Sequence, residues 1–147
     1  MTVIRRAGPS DFDAAAELLR GAGLPLDGLG EHFEQAFVAE ADEGGSIVGC
    51  VALELYGETA LLRSLAVTAE RRGERLGERL AAAALASAKD LGATDVYLLT
   101  QTAERFFPRF GFAVEDRGAA PEVLKQSAEF RGACCPSAVL MHVRTSS

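Results

Sequence analysis

The apolar run Leu61, Leu62, Leu65, Ala66 and Val67 stops at a short polar turn holding Arg71, Arg72 and Gly73, and a long amphipathic segment follows at once. That order is strand, turn, helix. Such a turn presents unpaired backbone N–H groups and the positive end of a helix dipole, here beside several arginines, which makes it a place for a phosphate or pyrophosphate. A second chemical signal lies inside the strand. Arg63 interrupts a run that otherwise reads as buried, and a buried guanidinium is costly unless an anion meets it. Glu54, on the preceding apolar run, can be that anion in a structural ion pair, or Arg63 can grip an anionic group on a ligand; the two readings are compatible. Glu54 is correspondingly a structural partner or a proton acceptor.

Composition bounds what these residues can serve. The chain has 147 residues, 48% hydrophobic and 24% charged, which suits one domain with a single sizeable core. A net charge of −6 argues against a general nucleic-acid or anionic-membrane partner, while a local basic patch can still hold one small anion. The first twenty residues carry Arg5, Arg6, Asp11, Asp13 and Glu17 instead of an apolar signal core. No segment reaches the roughly eighteen apolar residues of a spanning helix, so a cytoplasmic protein is expected. Cys50, Cys134 and Cys135 lack disulfide or zinc spacing, which fits a reducing compartment and no metal.

The elements that must position the site follow from periodicity. Residues 2–6 read as a first strand, and Gly8, Pro9, Ser10 and Asp11 give turn and cap chemistry before a helix carrying Phe12, Ala15, Ala16, Leu18 and Leu19, ended by Gly21 and Gly23. Pro25, Gly28 and Gly30 make the next stretch a loop with a short helix near residues 30–35, placed like a substrate lid. Strands at 36–41 and 46–56 flank a hairpin turn, and Gly57 with Glu58 turns the chain into the run ending at Val67. With that two-residue loop Glu54 lies opposite Leu61, Ala52 opposite Arg63 and Cys50 opposite Leu65. Val51, Leu53, Leu55, Leu62 and Ala66 then share an aliphatic face, and the mixed face of Cys50, Ala52, Glu54 and Arg63 is the candidate cleft wall.

From near Gly73, Leu76, Leu80, Ala84, Ala88 and Leu91 repeat at helical spacing until Gly92, which predicts a helix of about 19 residues, roughly 28 Å long. Residues 96–99 read as a buried parallel strand, completing a right-handed crossover. Thr102 can cap a helix through Phe106 and Phe107, broken by Pro108 and closed by Gly111. A short strand at 112–115, a helical turn at 121–126 and a last strand at 137–143 complete the chain. His142 reads as a half-exposed strand residue, and His32 as surface.

Leu62, Leu65 and Val67, then Arg72-Gly73-Glu74-Arg75-Leu76-Gly77, then Ala103, Phe106, Phe107, Gly111 and Phe112, resemble the two signature motifs of the GCN5-related N-acetyltransferases, the GNAT family. The resemblance covers the whole order of elements. It implies the α/β acyl-CoA N-acyltransferase fold, a mixed central sheet of about seven strands with about four flanking helices, splayed between the fourth and fifth strands. It implies acetyl-CoA as cosubstrate and no metal. Leu65 and Val67 would lie along the pantetheine arm, Val67 through its backbone, and Arg72, Gly73, Glu74, Arg75, Leu76 and Gly77 would turn their N–H groups to the diphosphate. Phe106, Phe107 and Phe110 would be mainly core, one of them lining the acetyl pocket.

Three positions depart from the family pattern. Arg75 replaces its middle glycine, so that either its side chain swings outward to solvent or phosphate or the loop binds the diphosphate poorly. Phe107 replaces the tyrosine that often protonates the leaving thiolate, and a phenyl ring donates no proton. Leu61 stands where many members carry a glutamate base. Glu129-Phe130 and Cys134-Cys135-Pro136-Ser137-Ala138, with Phe106-Phe107 and Arg117, are further similar to the ArsN acetyltransferases found with arsenic-resistance genes. That implies an amino-acid-like substrate with an arsenical or phosphinate group, for which Arg63 would be the anion partner. Cys134 and Cys135 are then ordinary packing residues or ligands for trivalent arsenic.

The function expected is acetyl-CoA-dependent N-acetylation of the primary amine of a small, amino-acid-like molecule. Family habit adds a homodimer through the last strands. The alternatives are a non-catalytic acyl-CoA- or arsenite-binding protein and acetylation of a protein terminus.

Overall fold

The computed structural model describes residues 2–42, 45–69, 71, 75–101, 103–127, 130 and 138–145. Its strands are β1 (Val3–Arg6), β2 (Phe37–Glu40), β3 (Ile47–Tyr56), β4 (Thr59–Val67), β5 (Asp95–Thr100), β6 (Ala113–Glu115) and β7 (Val139–Arg144). They form one mixed sheet in the order β1-β2-β3-β4-β5-β7-β6. Among the described residues only β4 and β5 pair in parallel, as the crossover through a helix requires.

Two α-helices flank the sheet, α1 (Phe12–Ala22) and α2 (Leu76–Asp90). Short 3-10 stretches among the described residues include Gly30–Gln35, Phe107–Phe110 and Glu122–Gln126. α1 runs through Gly21 and ends at Gly23, whose φ of 72° lets its N–H reach the Arg20 carbonyl. α2 has 15 residues, about 22 Å, because it starts at Leu76 and not near Gly73, which lies outside the described residues. The helix expected up to Phe107 is a turn followed by the 3-10 stretch: Pro108 at its start has no N–H to donate, and Gly111 closes it at φ 95°. Its proposed cap, Thr102, lies outside the described residues.

The two faces of the sheet are covered differently. On one, Leu76, Leu80, Ala84 and Ala88 of α2 pack on Val51, Leu53, Leu62, Val96, Leu98 and Met141 in one continuous apolar core with Phe107 and Phe112. On the other, α1 and the Gly30–Gln35 helix cover Val38, Cys50, Ala52 and Ala66. A separate cluster joins Leu61, Tyr97 and Leu140 to Ala120 and Leu124. Among the described residues no helix is long and apolar enough to cross a membrane.

Candidate active site

The site is shaped by an irregularity in β4. Glu54 pairs with Leu61 and Ala52 with Arg63, as the two-residue turn demands, but Cys50 pairs with Ala66 and not with Leu65. Two residues of β4, Ser64 and Leu65, face the single Val51 of β3. This is a β-bulge, and Ser64 carries it at φ 62°. The bulge swaps the faces beyond it. Ala66 joins the α1 side, while Leu65 and Val67 pack toward the α2 core, so the aliphatic face assigned to Ala66 by strict alternation is corrected.

The bulge coincides with a parting of the sheet. β4 pairs with β5 only through Thr59, Ala60 and Leu61. Beyond Leu61 the pairing of β4 with β5 stops, and between the strands opens a cavity of about 520 Å³. Leu62 to Val67 form one wall, Leu98, Leu99 and Thr100 of β5 the other, Ala103 and Phe107 the base, and Gly21, Ala22 and Leu24 at the end of α1 the rim. A second groove, about 580 Å³, shares Gly21, Ala22 and Val67 with it and runs along α1 to Thr68 and Ala69, at the start of the arginine-bearing turn. Together they make a track from the turn to the parted strands.

Arg63 stands in the cavity wall, yet its side chain is 0% exposed, and that of Glu54 1%. Nη1 donates to Glu54 Oε2 at 2.7 Å and to the Asp27 carbonyl at 2.6 Å, Nη2 to the Pro25 carbonyl at 3.1 Å and Nε to the Ser64 hydroxyl at 3.0 Å. The Tyr56 hydroxyl donates to Glu54 Oε1 at 2.5 Å, and Ser127 also hydrogen-bonds the carboxylate. Burial pushes the Glu54 carboxyl up, but the hydrogen bonds from Tyr56, Arg63 and Ser127 outweigh it and hold it below the ordinary range. Tyr56 is raised by burial and by its bond to Glu54. Glu54 is not among the described residues lining the cavity, so it stands behind the arginine and not in reach of an amine there. Tyr56 and Ser127 were not predicted. The strand alternation that puts Tyr56 on the face of Glu54 could have found the first; nothing local marks the second.

Of the turn, Arg72, Gly73 and Glu74 lie outside the described residues. Arg75 has a left-handed backbone, φ 59° and ψ 29°, immediately before α2, and its side chain is exposed. The backbone thus keeps a conformation natural to glycine while the side chain leaves the site. Leu76 is buried in the α2 core, which leaves only its backbone to meet a ligand. A Cβ on Gly77 would lie 3.5 Å from the Phe106 ring, ordinary contact. Arg79 donates to the Thr2 carbonyl at 2.9 Å, and Arg71 to the Thr2 hydroxyl at 3.4 Å, which moors β1 beside the turn. Where the track meets the turn, Thr68 Oγ1 is buried and has no hydrogen-bond partner among the described residues, so it can serve a polar group of a ligand.

The remaining candidates stand apart from the cavity. His142 stacks on Tyr97, ring centroids 4.2 Å apart, with Asp95 and Glu115 at 2.7 and 2.6 Å from its ring nitrogens. His32 leans on Tyr56. Cys50 is buried, its thiol pushed up to about 12 by burial, and packs against the bulge. Cys134 and Cys135 lie outside the described residues. Among the described residues no cluster of three His, Cys, Asp or Glu side chains could hold a metal.

Solved structures share this architecture. An N-acetylglutamate synthase from Neisseria gonorrhoeae, complexed with coenzyme A and N-acetyl-glutamate, superposes over 100% of this chain and 36% of its own, with a TM-score of 0.83 and 23% identity. The chain thus spans about a third of that enzyme. A Mycobacterium tuberculosis protein in complex with CoA matches over 97% of this chain and 98% of its own at a TM-score of 0.80 and 24% identity. The fold is that of the acyl-CoA N-acyltransferases. In sequence, residues 32–114, more than half of the chain, match the acetyltransferase (GNAT) domain. The chain is 34% identical over 133 residues to the amino-acid acetyltransferase of Mycobacterium tuberculosis, covering 84% of this chain and 76% of the relative. It is 31% identical over 129 residues to an uncharacterised N-acetyltransferase of Chlorobaculum tepidum, covering 82% and 81%. The chain belongs to the GNAT family of acetyltransferases, enzymes that take acetyl from acetyl-CoA.

Proposed function

We propose that this enzyme acetylates the α-amine of a small amino acid or amino-acid analogue, and that the track from the turn to the parted strands receives acetyl-CoA. The observation that carries the reading is the placement of opposite helix ends along one cleft. The N-terminus of α2 follows the turn and favours the diphosphate, while the C-terminal residues Gly21 and Ala22 of α1 rim the cavity and favour an amine or ammonium. The name of the mycobacterial relative supports an amino acid as acceptor.

Bound there, acetyl-CoA supplies the thioester that is the acyl donor. The residues of this chain do the rest by position. Val67 and the edge of β4 beyond its pairing with β5 offer backbone groups to the pantetheine arm, Thr68 Oγ offers a hydrogen bond, and residues 72–77 offer amides and Arg72 a charge to the phosphates. An N–H on that edge can polarise a carbonyl set between β4 and β5. Phe107, buried at the cavity base, excludes water and donates no proton. The thiolate therefore takes its proton from the acceptor ammonium or from solvent.

Two measurements test the reading. Acetyl-CoA should raise the Tm, and Arg72→Glu should abolish the rise; an undiminished rise in that variant removes the turn from the site. Thiol release should be seen with some member of a panel of amino acids that includes dicarboxylic, phosphinate and arsenical analogues. Release only with peptide N-termini would replace the small-amine reading.

A further inference from the structure

Arg63 touches more than its ion-pair partner. Its Nη atoms hold the carbonyls of Pro25 and Asp27, its Nε holds Ser64 at the bulge, and Glu54 continues the chain of contacts to Tyr56 and Ser127. The segment between α1 and the Gly30–Gln35 helix has no regular structure, and Gly28 turns it at φ 78°. Leu26 and Leu29 pack with the α1-side cluster and turns form at Leu24 and Leu29; the carbonyls of Pro25 and Asp27 between them are held by this guanidinium. Ser127 closes the 3-10 stretch Glu122–Gln126, whose Leu124 packs on Leu61. The ion pair therefore sits where two covering segments meet, at the point where the sheet parts.

We infer that Arg63 and Glu54 form a latch that ties the 24–29 segment, whose Leu24 rims the cavity, to the 122–127 segment, and so set which amines enter. Neither residue is a catalytic residue. Both are positioning residues: the arginine reads the place of the lid through two main-chain carbonyls, and its Nε ties that place to the bulge where β4 parts from β5. A planar fork of donors is needed for this, because a lysine ammonium pairs with Glu54 but cannot also span Pro25, Asp27 and Ser64. Leu24, exposed and on the cavity rim, is carried by the same segment. The latch rests on the proposed function only for the identity of what it admits.

The test pairs Arg63→Lys with the milder Tyr56→Phe, which removes one hydrogen bond to Glu54. Amide hydrogen exchange is measured on the full chain without substrate, and thiol release with the best amino acid of the panel. Loss of charge-assisted hydrogen bonds should speed exchange across residues 24–29 about tenfold or more in Arg63→Lys, with a smaller rise in Tyr56→Phe. In the same variant the KM for the amine should rise about tenfold while the KM for acetyl-CoA changes less than about twofold. Exchange at 24–29 like that of the unaltered protein in both variants would overturn the latch, and so would equal rises in the two KM values. An unaltered enzyme that releases no thiol with any amino acid would overturn the proposed function instead, leaving the exchange result to decide the latch.

Discussion

The two faces of the sheet solve the same burial problem in opposite ways. Against α2 the sheet presents an unbroken apolar surface, with small residues along the helix, Ala84 and Ala88, allowing close approach. On the opposite face two apolar clusters are separated by a polar seam of Arg63, Glu54, Tyr56 and Ser127. A seam of this kind contributes little net stability, because removing two charges from water offsets most of their attraction. It does fix geometry. One face therefore holds the fold together, and the other holds the site in shape.

The contrast can be broken at known points. The largest effect is expected from Leu80→Ala on the α2 face, where Leu80 is fully buried. Truncation should cost about 2–5 kcal/mol in denaturant unfolding and leave the KM for the amine unchanged in the folded fraction. On the seam, Glu54→Gln leaves a buried guanidinium without its counter-charge and should cost about 3 kcal/mol. Its pH signature is distinct. The Glu54 carboxyl lies below its ordinary range when folded, so its stabilisation is present above the unfolded value near about 4.3 and is lost as pH falls through the folded one. Tm followed from about pH 6 to about pH 3 should fall less steeply in Glu54→Gln; parallel profiles would count against a charged carboxylate in the seam.

Smaller effects sharpen the comparison. Gly49 lies between the faces where α2 approaches, and a Cβ there would stand 2.9 Å from Leu80 Cδ1 and 3.3 Å from the Ala66 carbonyl oxygen. Gly49→Ala should cost about 1–3 kcal/mol by overpacking, read as a lowered Tm. The smallest effect is expected at Arg75. Because its backbone is already left-handed, Arg75→Gly relieves strain while loosening the unfolded chain, and the net change in stability should stay within about 1 kcal/mol. A large loss would mean that the arginine side chain has a structural partner.

Much of this was legible from spacing. The run from Leu61 to Val67, the polar turn and the repeat from Leu76 to Ala88 define the crossover by themselves, and the two-residue turn at Gly57 fixed the pairing of Glu54 with Leu61 and Ala52 with Arg63. What failed was alternation carried past Arg63. A bulge on a serine leaves no compositional trace, since glycine is the residue expected at positive φ, so Leu65 and Ala66 were assigned to the wrong faces. The length of α2 was overestimated because its start was set at the polar turn near Gly73, whereas the apolar repeat and the helix both begin at Leu76. Arg63 and Glu54 were recognisable as partners from burial cost alone. The carbonyls of Pro25 and Asp27 were not, because main-chain acceptors in an irregular segment carry no side-chain signature. The acceptor itself is written in no motif: Leu61 and Phe107 occupy the places where an acid–base pair would have announced it.

The extra residue in β4 has a consequence for how the gene can vary. Excising Ser64 would give β3 and β4 an uninterrupted, more regular ladder, and local measures of strand quality would improve. Leu65 and Val67 would stay on the α2 side and Ala66 on the α1 side, since Leu65 would then follow Arg63 in plain alternation. What would be lost is the hydroxyl that Arg63 Nε holds and the left-handed kink where β4 leaves β5. A deletion at this one codon would spare the core and flatten the cleft, so the fold could survive a change that the site would not.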